Sequence, residues 1–431
     1  MGISRRSLLK VGLKAGAAAS VASGLGSALP SEAAAQLRPL PTEFDRLKPL
    51  GDRVRPITAE EYQGRIALAQ RLMAESKPPL AALYLTPGSS LFYYTGIRWG
   101  LSERLLALLI PRKGDPFLVG PAFEEGRLRE LLKWPTEIRA WQEDESPYWF
   151  VGKGLADRGI RTGRIGVEET VRFHFYDRLR RAVPALEYVS ADAVTIGCRG
   201  RKTEHELELM QLACEATVDV YKAAFASIRE GMTHRDLAGL ISQGFQRMGL
   251  SGGALVLFGK WAALPHGTTQ SQELAEGDVV LVDGGCAVEG YASDVTRTAV
   301  LGRASDNMKR AFETVRRAQD AALAAAVRGK PCGSVDDAAR QVITDAGYGR
   351  GYELFTHRLG HGIGLDGHEH PYLVRGSKVI LQPGMTFSNE PGIYVKEQFG
   401  VRCEDVMVIE EAGPARLLTP SFAASLERPF G

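Results

Sequence analysis

Two strand–turn–strand segments in the second half of the chain constrain its fold more than any other feature. Each consists of two strand-like runs, separated by a polar stretch that contains glycine. The runs lie at residues 279–282 and 291–301, and at residues 386–390 and 401–409. Strands joined by short turns pair antiparallel, so the pattern predicts an antiparallel sheet.

Amphipathic helices are predicted to cover this sheet. Capping boxes begin two of them, at Thr203 with Glu206 and at Thr233 with Asp236. A third helix is predicted over residues 307–327. Helices packed on an antiparallel sheet define an α+β fold, and we assign this second domain to residues 201–431.

The first half is predicted to form a smaller α/β domain, residues 36–200. It begins with a capping box at Thr58 and Glu61 and ends near the glycine-containing segment 197–201. Strand-like and helical segments alternate between these points. The predicted strands cover residues 80–85, 90–97, 105–110 and 116–119, and the predicted helices cover residues 124–133 and 173–182. A short apolar run at residues 165–167 lies between the two helices.

Residues 1–35 have the organisation of an export signal. Arg5 and Arg6 stand in a twin-arginine run, a weakly apolar stretch rich in Ala, Gly and Ser follows, and residues 33–35 offer a cleavage site. A membrane anchor and a plain basic arm are the alternatives, but a spanning helix needs about 20 strongly apolar residues. We therefore expect twin-arginine export to the periplasm or the extracellular space, with no stable membrane anchor after signal cleavage.

Cysteine spacing and overall charge exclude several classes of protein. The 5 cysteines are scattered without a C-x-x-C pair, so buried thiols are expected rather than a disulfide scaffold. Lys and Arg total 53 against 51 Asp and Glu, which gives a net charge of +2. Because this balance creates no overall basic field, nucleic acid is not expected as a partner.

Two aspartates are placed symmetrically in the first strand–turn–strand segment. Asp283 ends one run, Asp294 lies in the other, and the turn between them is predicted at Glu289–Gly290. Pairing about this turn predicts that the two carboxylates lie opposite each other, with Cβ atoms roughly 5 Å apart. A metal ion between them would offset their repulsion, whereas each aspartate taken alone is also typical of a strand end or turn.

Two glutamates repeat this arrangement in the second segment. Glu390 and Glu404 are centred on Glu397, so they are predicted to face each other across a hairpin. Side chains alternate along a strand, which places Arg402 on the face of Glu404, and Cys403 on the other face. The alternative is that Glu404 only pairs with Arg402 on a solvated surface.

Histidines connect these acids into one candidate site. Four of the 8 histidines lie in the glycine-rich stretch 357–370, between the two segments, and His266 shortly precedes the first. Carboxylates with one imidazole suit Mn²⁺, Co²⁺, Fe²⁺ or Zn²⁺ in an oxygen-rich site. Four carboxylates can neutralise two divalent ions, and such a pair can generate hydroxide at neutral pH and polarise a scissile carbonyl.

These residues resemble the pita-bread metallopeptidases, in the branch of Xaa-Pro aminopeptidases and prolidases. The resemblance extends over essentially all of the chain after the signal, including REGMTHRDL at 229–237 and YYTGIR at 93–98. It implies a pita-bread catalytic domain preceded by a creatinase-like N-terminal domain. The site motifs are VDGG at 282–285, SDVTRT at 293–298, HRLGHGIGLDGHEHPYL at 357–373, NEPGIY at 389–394 and GVRCED at 400–405.

The resemblance also implies a role for each site residue. Asp283 would bind one metal ion and His361 with Glu390 the other, while Asp294 and Glu404 would bridge both. Glu390 would also accept a proton from the bridging water. The pocket residues implied to contact substrate or to orient the ligands are His266, His357, His368 and Arg402.

The implied activity is metal-dependent hydrolysis of an Xaa-Pro peptide bond by hydroxide held between two divalent ions. The resemblance favours Mn²⁺, with Co²⁺, Fe²⁺ or Zn²⁺ as alternatives, a proline-containing peptide or dipeptide as substrate, and a homodimer. Aminopeptidase and dipeptidase activity both stay open, as do a hydrolase or lyase of this fold acting on a small non-peptide substrate and an inactive binding module. Gly367 and Cys403 depart from the residues usual in relatives and affect the expected shape of the pocket.

Overall fold

The computed structural model describes residues 40–420 and 423–430. The export signal predicted over residues 1–35 lies outside this range, as do the first residues of the predicted N-terminal domain. No helix within the described ranges combines the length and apolar character that crossing a bilayer requires.

A six-stranded mixed sheet forms the centre of the first half. Its order is β4-β3-β2-β1-β5-β6, with β1 antiparallel to β2 and parallel to β5. Side chains of β1 alternate between two buried clusters, one containing Leu83 and the other Tyr84, so both faces of the sheet are covered. The strands are β1 (Ala82–Leu85), β2 (Ala107–Pro111), β3 (Phe117–Pro121), β4 (Glu137–Trp141), β5 (Gly163–Val167) and β6 (Leu186–Ser190).

Helices cover both faces of this sheet. Helix α1 begins with the predicted capping box, since the side chain of Thr58 accepts a hydrogen bond from the Glu61 amide and Glu61 bonds back to the Thr58 amide. The helices are α1 (Ala59–Glu75), α2 (Ser89–Thr95), α3 (Glu125–Leu131), α4 (Pro147–Asp157), α5 (Phe173–Ala182) and α6 (Asp192–Arg199). A short 3-10 turn, Ala122–Glu124, precedes α3.

The strand predicted over residues 90–97 is wrong, because this segment forms helix α2. Its aromatic residues favour a strand by propensity, but Tyr93 and Tyr94 are buried by packing on a helical path. Gly96, with a φ of 75°, ends the helix in the left-handed conformation that glycine adopts without strain. Tertiary burial and this terminal glycine therefore override the local preference.

The second half is built from antiparallel strands covered by four helices, which confirms the predicted arrangement. The helices are α7 (Glu204–Ala226), α8 (His234–Arg247), α9 (Asp306–Ala325) and α10 (Cys332–Asp345). The strands are β7 (Gly252–Phe258), β8 (Val279–Val288), β9 (Tyr291–Ala292), β10 (Val295–Val300), β11 (Gly360–Gly362), β12 (Glu369–Leu373), β13 (Thr386–Asn389), β14 (Gly392–Val395), β15 (Phe399–Arg402), β16 (Asp405–Val408) and β17 (Arg416–Leu417).

Both faces of these sheets are buried. Along β8, Val280 and Val282 pack into the cluster that contains α7 and α8, whereas Leu281 packs into the cluster of α9 and α10. The strands form the ladders β10-β8-β7 and β12-β11-β13-β16-β17, and β14 pairs with β15 in a hairpin. The capping boxes predicted at Thr203 and Thr233 begin α7 and α8.

Buried ion pairs join the two halves of the chain. Arg65 on α1 donates to Glu206 on α7 at 3.0 Å, and Arg199 on α6 donates to Glu369 on β12 at 2.7 Å. Lys202 donates to the same Glu369 at 2.6 Å. These contacts fix the first half against the segment that carries the predicted histidine site.

Candidate metal centre

Glu390 and Glu404 lie at a gap between two antiparallel ladders. The ladders β13–β16 and β14–β15 share one register, in which Glu390 and Glu404 occupy opposite positions, as predicted. Because neither residue belongs to a ladder, each backbone amide pairs elsewhere. The Glu390 amide donates to the carbonyl of Leu359 at 3.0 Å, and the Glu404 amide donates to that of Thr296 at 3.2 Å. The segments that contain Leu359 and Thr296 therefore meet the hairpin at these two glutamates.

Asp283 and Asp294 converge, but the predicted pairing between them is wrong by two residues. The turn is at Glu289–Gly290 as predicted, and both residues have positive φ. This turn pairs Asp283 with Thr296, so Asp294 is a diagonal neighbour on the same face of the sheet rather than the opposite residue. Carboxylate oxygens of both aspartates still lie within 4.8 Å of one another and of an oxygen of Glu404.

His361 reaches these carboxylates from β11. Its Nε2 lies 3.3 Å from Oε1 of Glu390 and 3.7 Å from Oδ2 of Asp294. Its Nδ1 lies 3.1 Å from the carbonyl oxygen of Gly362. An Nδ1 proton bonded to that carbonyl leaves the lone pair of Nε2 directed towards the carboxylates, as metal coordination requires.

The five residues fit divalent metal ions. Asp283, Asp294 and Glu404 form one group of convergent donor atoms, and His361, Glu390 and Glu404 form another. Burial and the charge of Asp283 raise the pKa of Asp294 to about 8, and burial with the charge of Asp294 raises that of Glu404 well above its usual value. Such crowding of negative charge is offset by cations, and hard oxygen donors with one imidazole suit the divalent ions named above.

The pKa of Glu390 is lowered, whereas those of Asp294 and Glu404 are raised. Burial by itself raises its pKa, but the hydrogen bond with His361 and the charges of His357 and His361 lower it to about 2. Ser388 also donates to Oε1 of Glu390 at 3.0 Å. Glu390 is therefore ionised across the physiological pH range, so it can bind a cation and accept a proton.

Arg402 donates hydrogen bonds to three side chains of the site. Its Nη2 donates to Oδ2 of Asp283 at 2.6 Å, its Nε to Oγ1 of Thr296 at 3.1 Å and its Nη1 to the phenol oxygen of Tyr394 at 2.8 Å. Thr296 in turn lies 2.8 Å from Oδ1 of Asp283 and 2.6 Å from Oε2 of Glu404. One buried guanidinium therefore holds the carboxylate of Asp283 directly and that of Glu404 through Thr296.

The three remaining predicted histidines surround the opening of the site. The ring of His368 stacks on His361 with centroids 3.6 Å apart, and Nε2 of His357 lies 2.7 Å from the hydroxyl of Tyr394. The charge of His266 contributes to the lowered pKa of both His357 and His368, in each of which burial is the largest cause. His266 and His368 are exposed. Arg402 donates to the carbonyl of Pro265 at 3.4 Å, so the segment that carries His266 also reaches the site.

Several residues of the site were not predicted. The hydroxyl of Thr296 bonds both Asp283 and Glu404. Its position two residues after Asp294 could have indicated that its side chain lies on the same face of the strand. Tyr394 connects His357 to Arg402, and the phenol of Tyr221 is buried without a hydrogen-bond partner among the described residues. The charges of Asp283 and of the other site acids add to the effect of burial in raising the pKa of Tyr221.

A second buried hydrogen-bond network contacts the backbone that carries Glu390 and Glu404. Arg297 donates to the carbonyl of Glu404 at 2.8 Å and to Oδ1 of Asp405 at 2.7 Å. Gln319 on α9 donates to Oδ2 of Asp405 at 2.9 Å and to the carbonyl of Asn389 at 3.0 Å. Cys403 faces away from the site, as predicted, and lies in the core.

All five cysteines are free and buried, which confirms the expectation of unpaired thiols.

Helix α10 holds the backbone that carries His357. Arg340 donates to both carboxylate oxygens of Asp336 and to the carbonyls of Gly351, Phe355 and His357. Asp336 also accepts from the Leu359 amide at 2.8 Å. This buried ion pair thereby fixes both ends of the segment that reaches the site.

Replacing Arg340 by Met is expected to destabilise the protein by about 3–5 kcal/mol, because it leaves Asp336 buried without its cation. Activity should fall as well, since the three carbonyls lose their donors. Urea unfolding followed by circular dichroism measures the first effect. Arg375→Met is the matched control. Arg375 forms an exposed ion pair with Asp337 of α10, and this pair should contribute less than about 1 kcal/mol to the free energy of unfolding. Equal losses in both variants would contradict the assignment.

The fold and the donor set together define a metal-dependent hydrolase with the pita-bread architecture. The chain belongs to metallopeptidase family M24: the model of that family matches residues 208–411, and the model of the creatinase/prolidase N-terminal domain matches residues 65–200.

Relatives over most of the chain carry dipeptidase names. A probable dipeptidase PepE of Mycobacterium tuberculosis is 35% identical, covering 83% of this chain and 95% of that protein. An Xaa-Pro dipeptidase of Lactobacillus helveticus is 34% identical, covering 80% and 94%. The crystal structure of dipeptidase PepE from Mycobacterium ulcerans superposes with a TM-score of 0.78 at 34% identity, covering 84% of this chain and 97% of that one.

Proposed function

We propose that this protein is an Xaa-Pro dipeptidase that uses two divalent metal ions. The observation that carries the proposal is the sharing of ligands between groups of donor atoms. Glu404 belongs both to the group with Asp283 and Asp294 and to the group with His361 and Glu390. A residue common to two groups is what a bridging ligand requires, and the similarity to proteins named dipeptidase and Xaa-Pro dipeptidase supports the substrate class.

The ions would supply a nucleophile at neutral pH and polarisation of the scissile carbonyl. The protein's own residues do the rest. Glu390 is ionised and lies at the ligand cluster, so it can accept the proton of the attacking water. His266 and His368 stand at the exposed opening, where their N–H groups can donate to the carbonyl oxygen of the substrate.

A neutral His357 suits the same arrangement. Tyr394 accepts a hydrogen bond from Arg402, so its own proton is available to Nε2 of His357. Nδ1 of His357 then donates to the carbonyl of Arg358, at 2.8 Å. Burial lowers the pKa of His357, consistent with this neutral form. The chain from Arg402 to His357 therefore fixes one wall of the substrate site.

Hydrolysis of Ala-Pro after chelation and metal return tests the proposal. Treatment with EDTA should abolish cleavage, and Mn²⁺ or Co²⁺ should restore it, because four carboxylates cannot act on a peptide without the cations they hold. Ala-Leu is the control for selectivity towards proline, and Ala-Pro-Ala separates dipeptidase from aminopeptidase activity. Absence of cleavage of both proline peptides under every metal condition would contradict the proposed function.

Manganese as the resident ion, a homodimer, and export by the twin-arginine route complete the proposal. Metal analysis of protein purified without added ions tests the first, and sedimentation tests the second. For the third, replacement of Arg5 and Arg6 by Lys should retain the protein in the cytoplasm, since the paired arginines are the recognised part of such a signal. Unchanged fractionation of that variant would contradict the export assignment.

A further inference from the structure

His368 lies at the end of a loop that neither burial nor a regular ladder holds in place. The loop, residues 363–368, connects β11 to β12, and both His368 and the preceding Gly367 are exposed. A Cβ added at Gly367 would have no neighbour within 4 Å in the described part of the chain. The ring of His368 stacks on His361, but this contact depends on where the backbone of the loop carries the ring.

A small cavity separates this loop from the first half of the chain. Its volume is about 60 Å³, and its lining includes Glu168, Thr195, Arg199 and His368. Two of its buried polar atoms, Oε2 of Glu168 and Nε of Arg199, have no hydrogen-bond partner among the described residues. Because close packing is what restrains a segment of this kind elsewhere in a protein, the cavity leaves polar contacts to fix the loop.

One guanidinium supplies these contacts on both sides of His368. Nη2 of Arg199 donates to Oδ2 of Asp366 and, at 2.7 Å, to Oε2 of Glu369. Asp366 stands two positions before His368, and Glu369 directly follows it. The two bonds therefore set the distance between the acids, and with it the path of the backbone that carries His368.

The guanidinium is itself held by the first half of the chain. Arg199 ends α6, and its side chain is 14% exposed. Its Nη1 donates to Oγ of Ser90 on α2 at 3.3 Å, and the neighbouring Ser89 donates to Asp366. Ionic hydrogen bonds of this kind are stronger than neutral ones and, away from water, are little screened. Two helices of the first half thus support the loop.

Lys202 provides a comparison within the same cluster. Its side chain is 3% exposed, and its Nζ donates to Oε1 of Glu369 at 2.6 Å. Within residues 40–420 and 423–430 it forms no ion pair with Asp366. Lys202 therefore holds only the strand that follows His368, whereas Arg199 holds both flanks.

We propose that Arg199 is a positioning residue, which holds Asp366 and Glu369 together so that His368 can donate its N–H to the carbonyl oxygen of the substrate. This inference rests on the proposed function, in which His368 has that role. It gives the first half a part in catalysis, since residue 199 lies in the range matched by the creatinase/prolidase N-terminal model and outside that of the metallopeptidase model.

Kinetics of Arg199→Met, alone and combined with His368→Ala, test the proposal. In the otherwise wild-type protein kcat for Ala-Pro should fall by about 10- to 100-fold and KM should change less than about 3-fold, because a displaced donor weakens stabilisation of the transition state. In the His368→Ala background the same replacement should lower kcat by less than about 3-fold, since the residue through which Arg199 acts is then absent. An undiminished loss in that background would overturn the proposal.

Nuclear magnetic resonance of the metal-free protein gives a readout that is independent of turnover. The stacked ring of His361 should displace the imidazole resonances of His368 from their position in a free histidine. In Arg199→Met these resonances should move towards the free value, and His368→Ala identifies them in the spectrum. Unchanged resonances of His368 in Arg199→Met would contradict the role of Arg199.

Two kinds of variant separate positioning from stability. Lys202→Met also removes a buried cation from Glu369, so it should lower the stability comparably, yet kcat should stay within about 3-fold of the wild type. Arg199→Lys keeps the charge but cannot bind both acids as a fork does, so it should recover more stability than kcat. Equal losses of kcat in Arg199→Met and Lys202→Met would overturn the proposal. Metal content should be the same in all of these proteins.

Asp366→Asn keeps the proposal testable if Arg199→Met does not fold. It weakens one of the two bonds and leaves Arg199 paired with Glu369. We expect kcat to fall by about 3- to 10-fold, with the resonances of His368 displaced in the same direction. Wild-type kcat together with unchanged resonances would overturn the role of Arg199.

The outcomes distinguish this inference from the proposed function. Cleavage of Ala-Pro with no dependence on Arg199 would overturn the positioning role and leave the proposed function intact. Failure to cleave Ala-Pro and Ala-Pro-Ala under every metal condition would contradict the proposed function. The resonances of His368 in metal-free Arg199→Met would then still decide whether Arg199 holds the loop.

Discussion

Replacement of Glu404 by Gln is expected to abolish activity and, at the same time, to stabilise the metal-free protein. Hydrolysis of Ala-Pro should fall by at least about 10³-fold, because Glu404 is the ligand shared by the two groups of donor atoms. In the metal-free protein the same carboxylate is buried, 1% exposed, beside Asp294, and its pKa is raised by burial and by that charge. Glutamine keeps the shape of the Glu404 side chain and removes its charge repulsion with Asp294.

We expect the gain in stability of metal-free Glu404→Gln to be about 0.5–2 kcal/mol, the range usual when a strained functional site is relieved. With metal added, the wild type should become the more stable protein, because only the wild type then gains the full free energy of metal binding. Thermal unfolding with EDTA and with Mn²⁺ measures both. Glu411→Gln, an exposed carboxylate paired with Arg328, is the control and should change neither activity nor stability appreciably. A destabilised metal-free Glu404→Gln would show that the carboxylates are not in conflict.

Replacement of Arg402 by Met should have the opposite effect on stability. Arg402 is 3% exposed and donates to Asp283, Thr296 and Tyr394. Its removal leaves Asp283 without a cation in the metal-free protein, which should cost about 3–5 kcal/mol. With metal bound the loss of stability should be smaller, since the ions then also neutralise the charge of Asp283.

Activity of Arg402→Met should fall by about 10- to 100-fold, the usual loss when a residue that orients metal ligands is removed. Arg402→Lys keeps the charge but not the fork of donors, so it should recover part of the stability and little of the activity. Urea unfolding with and without metal, together with kcat and KM for Ala-Pro, measures these effects. Equal stability of Arg402→Met and wild type without metal would contradict the pairing described here.

The sequence predicted one hairpin register correctly and the other incorrectly, and the turns explain the difference. In the second hairpin a single residue, Glu397, with a φ of 59°, lies at the centre, so Glu390 and Glu404 are opposite. In the first hairpin two residues form the turn. The centre of pairing therefore falls between Glu289 and Gly290, which places Asp294 diagonally to Asp283 rather than opposite it.

The acids and histidines that meet at the site could be predicted because each stands in a recognisable local pattern. Alternation along a strand placed Arg402 and Glu404 on one face, whereas only the family resemblance assigned His361 among the clustered histidines. The contacts that support them could not be predicted in the same way. Alternation from Asp294 places Thr296 on the same face, but it does not show that Thr296 bonds Glu404, which lies 108 residues further along the chain.

By itself the sequence determined the class of fold, the turns, the helix starts and the set of acids and histidines. These follow from periodicity, capping and charge within short stretches of chain. Only the tertiary structure decided that the ladders separate at Glu390 and Glu404 and that Arg402 fixes Asp283. The reason is physical: the neutralisation of a charge depends on which distant side chains the packed sheets and helices bring beside it.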